Sequence, residues 1–321
     1  MEKRLVPAWL LLLALAPALV GAQQRPPANT EVYLTGLQRD VMPLTGGAAL
    51  DISKSPGYDN EPSFTPDGKS VLFVSNRDGK QTDIYRYDIA TKALTQLTHT
   101  PESEYSPVVT PDGKTFSVIR VEADGTTQRL WRFDLDGSNP RLVLENVKGV
   151  GYQAWLDATH VAVFIVGTNG QPNTLQLADT TKDAAEMIDS NPGHGLALRP
   201  GTRFPGAPPS STAPPTLTYV CKTDPAHWVV KEFNLTTRTT TVIQDALLGS
   251  EDLAWDPVYG NARLLMAKGP LMYASFSGAE WRLVGDFTSA GIDRITRLAV
   301  SPDTKQGGQN RLVLVAEPVS K

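Results

Sequence analysis

Cysteine is nearly absent. Cys221 stands alone among 321 residues, so no internal disulfide can staple the fold and the core must hold itself together. Its flank, "LTYVCKT", reads as a strand, and the thiol as a small buried hydrophobe. Histidine is scarce too: His99, His160, His194 and His227 lie far apart, with no H-E-x-x-H or H-x-H pair to suggest zinc. No G-x-S-x-G occurs, which removes the usual nucleophile elbow. Neither sign of charge dominates, with 30 Lys and Arg against 34 Asp and Glu, and this mild acidity argues against nucleic acid as a partner.

Long apolar runs are missing after the first 22 residues. There, Lys3 and Arg4 precede "LVPAWLLLLALAPALV", and Val20-Gly21-Ala22 supplies a small-residue exit. That layout is a secretory signal peptide, too short and too broken by Pro7 and Pro17 for a membrane span. The expectation is therefore residues 1–22 as a cleaved leader and 23–321 as one exported domain, periplasmic or secreted in a bacterium, with no span left after cleavage. Removing Glu2, Lys3 and Arg4 moves the net charge from −4 to −5.

What is abundant is turn chemistry, with 26 Gly and 25 Pro, and a repeat. "NEPSFTPDGKSVLFVSNRDGKQTDIYRYD" (Asn60–Asp88) returns as "EYSPVVTPDGKTFSVIRVEADGTTQRLWRFD" (Glu104–Asp134). Each unit reads as a short strand, a Pro-Asp-Gly turn, an apolar strand, a second turn and an alternating strand, with a polar outer strand following. The Asp of each Pro-Asp-Gly, Asp67 and Asp112, is read as a turn residue rather than a catalytic one. The apolar residue before the first turn recurs as Phe64, Val109, Trp155, Leu198, Trp255 and Val300, at intervals of 45, 46, 43, 57 and 45. The long interval holds the proline-rich "PGAPPSSTAPP" (Pro205–Pro215), read as a passive exposed loop. A period in the forties with four strands per unit predicts an all-β fold, a six-bladed β-propeller of antiparallel blades. The sixth unit supplies two strands only. The segments Thr30–Leu37 and Gly47–Ser53 match its missing third and outer strands, so the N-terminal strands are expected to close the last blade.

These repeats resemble those of TolB-type six-bladed propellers, found also in prolyl oligopeptidase-like proteins. The resemblance covers about Thr30 to Pro318. Blades one and two match closely, and "WLDAT", "LRPGT" and "WDPVY" replace the turn in blades three to five. It implies a fold but not an activity. TolB proper carries a domain before its propeller and the peptidases a hydrolase domain. Neither is evident here, so neither activity is carried over.

In a propeller the segments leading into each inner strand gather at one mouth of the central channel. Here they read "GYDNEP", "ESEYSP", "GVGYQA", "NPGHGL", "GSEDLA" and "GIDRIT". They nominate Tyr58, Asp59, Glu61, Glu102, Glu104, Tyr105, Tyr152, His194, Glu251, Asp252, Asp293 and Arg294. Converging carboxylates would hold Ca2+ or Mg2+, or a basic segment of an envelope or secreted protein, with the tyrosines as contact area. The expected function is a non-catalytic, monomeric binding scaffold with an acidic mouth. The alternative is a metal-dependent lyase or hydrolase at the same mouth, since some pectate-degrading lyases resemble this fold and use histidines around a metal. Of the four histidines, His194 alone is placed for that role.

Overall fold

In a computed structural model of the chain, the described residues are 29–37, 44–45, 49–200, 216–258, 261–275, 280–302 and 310–319. The expected leader, residues 1–22, and the proline-rich segment 205–215 lie outside them.

Each repeat folds as the turn chemistry dictates. In blade one the strands Asp59–Phe64, Ser70–Ser75, Asp83–Asp88 and Leu94–Gln96 pair in sequence order. The first turn closes because Asp67 Oδ1 accepts from Thr65 Oγ1 at 2.7 Å and from Lys69 N at 3.1 Å. Gly68 takes the left-handed conformation there, at φ 66°. "SVLFVS" is buried at all six positions, which explains why its run is continuous rather than alternating. Blades two, three, four and five begin with the inner strands Ser103–Val109, Val150–Trp155, Pro192–Arg199 and Ala254–Val258 and repeat the meander outward.

Blade six is spliced from both ends of the chain. Its inner strands, Ile292–Val300 and Arg311–Pro318, are followed by Glu31–Gly36 and Leu50–Asp51. Glu31–Gly36 runs antiparallel to Arg311–Pro318, with Val32 opposite Val315 and Tyr33 opposite Leu314. Val32 and every residue from Leu312 to Ala316 are fully buried, so the splice is core rather than trim. Thr30 then stitches this blade to the next, donating its N–H to Gly57 O at 2.9 Å and accepting from Asp59 N at 3.1 Å. Six blades and their closure thus stand as the repeat count required. One feature departs from the four-stranded rule: Leu44–Thr45 adds a parallel fifth strand outside Arg282–Asp286 of blade five.

The core is a chain of clusters in the seams between neighbouring blades, such as Leu72, Val74 and Ile84 of blade one against Phe116, Val118 and Phe133 of blade two. Cys221 is buried, as its flank implied. Among the described residues no helix is long and apolar enough to cross a membrane.

Candidate functional site

Six inner strands surround the axis, and they begin within the six segments that the sequence assigned to the mouth. Register shifts interrupt five of them, between Asn60 and Ser63, Tyr105 and Val108, Val150 and Tyr152, Pro192 and Leu196, and twice between Ile292 and Arg297. A bulge re-aims a side chain that a regular strand would send elsewhere. Glu61 and Ser106, at φ 53° and 51°, sit at equivalent bulges. The strain of a left-handed non-glycine residue is offset there by direct bonds. Ser106 donates its N–H to Glu61 Oε2 at 2.6 Å and its hydroxyl to the same oxygen at 3.1 Å, while Tyr58 Oη donates to Oε1 at 3.3 Å.

The result is a cavity of about 320 Å³ on the axis, to which every blade contributes a polar or charged group, among them Glu61, Ser106, Tyr152, His194, Asp252 and Arg297. Arg297 donates from Nη2 to Tyr152 Oη at 2.9 Å, with its guanidinium 4.9 Å from the Tyr152 ring centre. Arg297 Nη1 lies 3.6 Å from Asp252 Oδ2, and His194 Nε2 lies 3.7 Å from the same oxygen. Both nitrogens are buried and, among the described residues, without a hydrogen-bond partner. On its other side, His194 Nδ1 is 3.2 Å from Glu251 Oε2, and Lys222 Nζ holds Glu251 Oε1 at 2.7 Å. Blade four approaches this closely because "PGHGL" places glycine on both sides of His194. A Cβ at Gly195 would stand 2.7 Å from Asp252 Cα, and one at Gly193 would stand 2.8 Å from Glu251 O.

Comparison with known proteins settles the family. Residues 30–193, about half of the chain, match the family model of the TolB beta propeller domain. The chain belongs to the TolB β-propeller family. A 28-residue stretch is 61% identical to the Tol-Pal system protein TolB of Bordetella pertussis, covering 9% of this chain and 6% of that protein. A stretch of 123 residues is 30% identical to dipeptidyl-peptidase 5 of Porphyromonas gingivalis, covering 36% of this chain and 17% of the peptidase. These matches therefore span a minor part of either relative. A solved structure of a TolB-like protein from Agrobacterium tumefaciens, described as putative TolB, superposes with a TM-score of 0.59 at 12% identity, over 91% of this chain and 99% of that one.

Within this TolB-type propeller, the residues nominated by sequence part company. Glu61, Tyr152, His194 and Asp252 line the axial cavity. Tyr58 and Tyr105 flank it with ring centres 6.5 Å apart, in an adjoining cavity of about 190 Å³. Asp59 and Glu104 are buried between blades instead. Asp59 Oδ1 accepts from Arg77 Nη2 at 3.1 Å; Glu104 accepts from Thr100 Oγ1, with Arg120 Nε 3.6 Å away. Glu102 pairs with Arg120. The bulge explains the divergence, because one extra residue reverses the in-out sense of those before it. Asp293 is exposed, and Arg294, also exposed, pairs with Glu317.

The mouth is accordingly not a uniform acidic rim. Arg297, which sequence reasoning passed over for Arg294, brings a cation to the axis. A positional signal could have found it. Glu61, Ser106, Tyr152, Asp252 and Arg297 each lie three residues before the apolar anchors Phe64, Val109, Trp155, Trp255 and Val300, and His194 lies four before Leu198. Burial pushes the Asp252 carboxyl well above its ordinary range. Burial also raises Glu61, against the pull of Arg297. Among the described residues no three of His, Cys, Asp and Glu are grouped to hold a metal ion.

Proposed function

We propose that the chain is an exported, non-catalytic binding propeller of the bacterial periplasm, and that its axial cavity receives a polar segment of an envelope protein. One observation carries the reading: the buried nitrogens of His194 and Arg297, 3.7 and 3.6 Å from Asp252 Oδ2, have no hydrogen-bond partner among the described residues and lie beside a cavity of about 320 Å³. Such groups cost free energy to leave unpaired and are satisfied by a guest that carries both donors and acceptors, as a peptide backbone does. Supporting it, Ser106 is held by Glu61 through both its amide and its hydroxyl, so that pair is spent on the bulge rather than on a nucleophile and its base. The relative named for the Tol-Pal system fits an envelope setting.

The test is capture. The immobilised chain is exposed to periplasmic extract beside a His194→Gln, Asp252→Asn double variant of unchanged melting temperature. A specific protein whose recovery falls roughly tenfold on the variant, a change of about 1.4 kcal/mol, supports the reading. Equal recovery on both overturns it. The lyase or hydrolase alternative requires instead that Mn2+, Ca2+ or Zn2+ raise the melting temperature of the wild-type chain and not of the variant.

A further inference from the structure

The seams between blades are not filled alike. Between blades two and three, Trp155 crosses over and donates its indole N–H to Ser117 Oγ of blade two at 2.9 Å. Between blades four and five, Trp255 does the same to Thr218 Oγ1 at 3.0 Å. The corresponding pair between blades one and two is Val109 and Leu72, one repeat earlier in the chain. Valine cannot reach as far as tryptophan, and what remains is a cavity of about 360 Å³ at the turn end of the ring, which shares no lining residue with the axial one. Its walls include Leu72, Leu97, Val109, Phe116 and Leu135. Leu72, Leu97 and Phe116 are buried, while Leu135 stands 41% exposed at the opening.

One cation faces this apolar hollow. Arg86 lies opposite Leu72 on one side and Thr95 on the other, on the blade face that meets blade two. Among the described residues its guanidinium makes no hydrogen bond, and no ion pair within 4 Å. Its field reaches Asp88, but that carboxylate is taken by Thr91, whose N–H and hydroxyl donate to Oδ1 at 2.8 and 2.7 Å. Asp67 also borders the hollow, with Oδ1 occupied by Thr65 and Lys69 of its own turn. A guest's negative head must therefore lie toward Arg86 and away from that turn.

We infer that this seam is a second binding site, which takes a small molecule with an apolar body and a carboxylate: the body replaces the missing indole and the carboxylate pairs with Arg86. An apolar cavity of about 150 Å³ already holds benzene, so a hollow of this size has room for an aryl or branched alkyl acid. Arg86 supplies the planar fork that carboxylates pair with.

The test is calorimetric titration of the full chain with 3-phenylpropanoate and with 3-phenylpropanol, which share a body and differ in charge. The acid binds roughly tenfold tighter than the alcohol, and Arg86→Gln removes that advantage while leaving the alcohol unchanged. Val109→Trp, which copies the plug of the two tryptophan seams, abolishes binding of both without lowering the melting temperature. Asp252→Asn, at the axis, changes neither, which separates this site from the axial one. The inference is overturned if acid and alcohol bind alike, if neither binds, or if Val109→Trp binds the acid as the wild type does.

Discussion

At the turn end of the ring, Asp67 and Asp112 hold their turns with the same bonds to the same atoms, one repeat apart. At the mouth end, the residues at matching places, Glu61 and Ser106, differ in charge, size and hydrogen-bonding sense and bond to each other. The difference separates two duties. A turn must satisfy backbone groups, and few side chains do that, so the repeat keeps them. A side chain on the axis answers to its neighbours across the channel rather than to a turn of its own, so the blades put different groups there. Repetition in this chain therefore marks scaffold, and the failure of repetition marks the site.

The comparison is broken most severely by removing the cation at the mouth. Arg297→Met leaves Glu61 and Asp252 without the opposite charge beside them. A buried charge deprived of its partner costs about 3 kcal/mol, and that is the expected loss at pH 8 by denaturant melting. The loss should shrink in acid. Burial already raises Glu61 above its ordinary value, and Arg297 opposes the rise. Without Arg297 the folded-state value climbs further, and a carboxyl raised by folding gives stability below its unfolded pKa that is lost as pH rises. A loss that is equal at pH 5 and pH 8 would show that Arg297 acts by packing alone.

A smaller effect sharpens the contrast between residues on the axis and residues turned away from it. Burial between blades pushes the Glu104 carboxyl up to about 7, with the Thr100 hydroxyl and Arg120 opposing. Its unfolded value is near 4.5, so the wild type should lose stability as pH rises from about 4.5 through about 7, by on the order of 2 kcal/mol. Glu104→Gln cannot ionise and should flatten that slope. Melting temperatures at pH 5 and pH 8 for both proteins decide it, and parallel slopes would reject the assignment.

Much of this was legible before any coordinates. The period, the Pro-Asp-Gly turns and the two orphan strands at Thr30–Leu37 and Gly47–Ser53 determine six blades and their splice, because turn chemistry and strand pattern are local properties. The mouth was legible only in part. The segments were the right ones, but which residue of each faces the axis depends on bulges, and a bulge leaves no mark in an alternating pattern when polar residues fill both faces. Asp59 and Glu104 were nominated for their charge and turn out to serve Arg77 and Arg120 between blades. Arg297 was missed because it lies beyond the second shift of its strand, where the run "TRLAV" looks like ordinary sheet. The parallel strand Leu44–Thr45 is two residues long and carries no pattern that could announce it.

The smallest expected effect tests the scaffold half of the comparison directly. Asp112 Oδ1 accepts from Thr110 Oγ1 at 2.7 Å and Lys114 N at 2.9 Å, matching Asp67 bond for bond. These bonds hold both carboxylates below their ordinary range, chiefly through the Lys114 amide for Asp112 and the Thr65 hydroxyl for Asp67. Replacing either by alanine removes two local bonds from an exposed turn, a loss of about 1 kcal/mol. If the two turns are equivalent parts, the two costs agree within about 0.5 kcal/mol, and the double variant is their sum, because separated sites without shared partners add. Both costs should fade as pH drops, since a carboxylate whose pKa is lowered by folding gives stability above its unfolded value and loses it in acid. A strong inequality would place a role at one turn that its twin lacks, and Asp67, which borders the hollow below Arg86, is where that asymmetry would be sought.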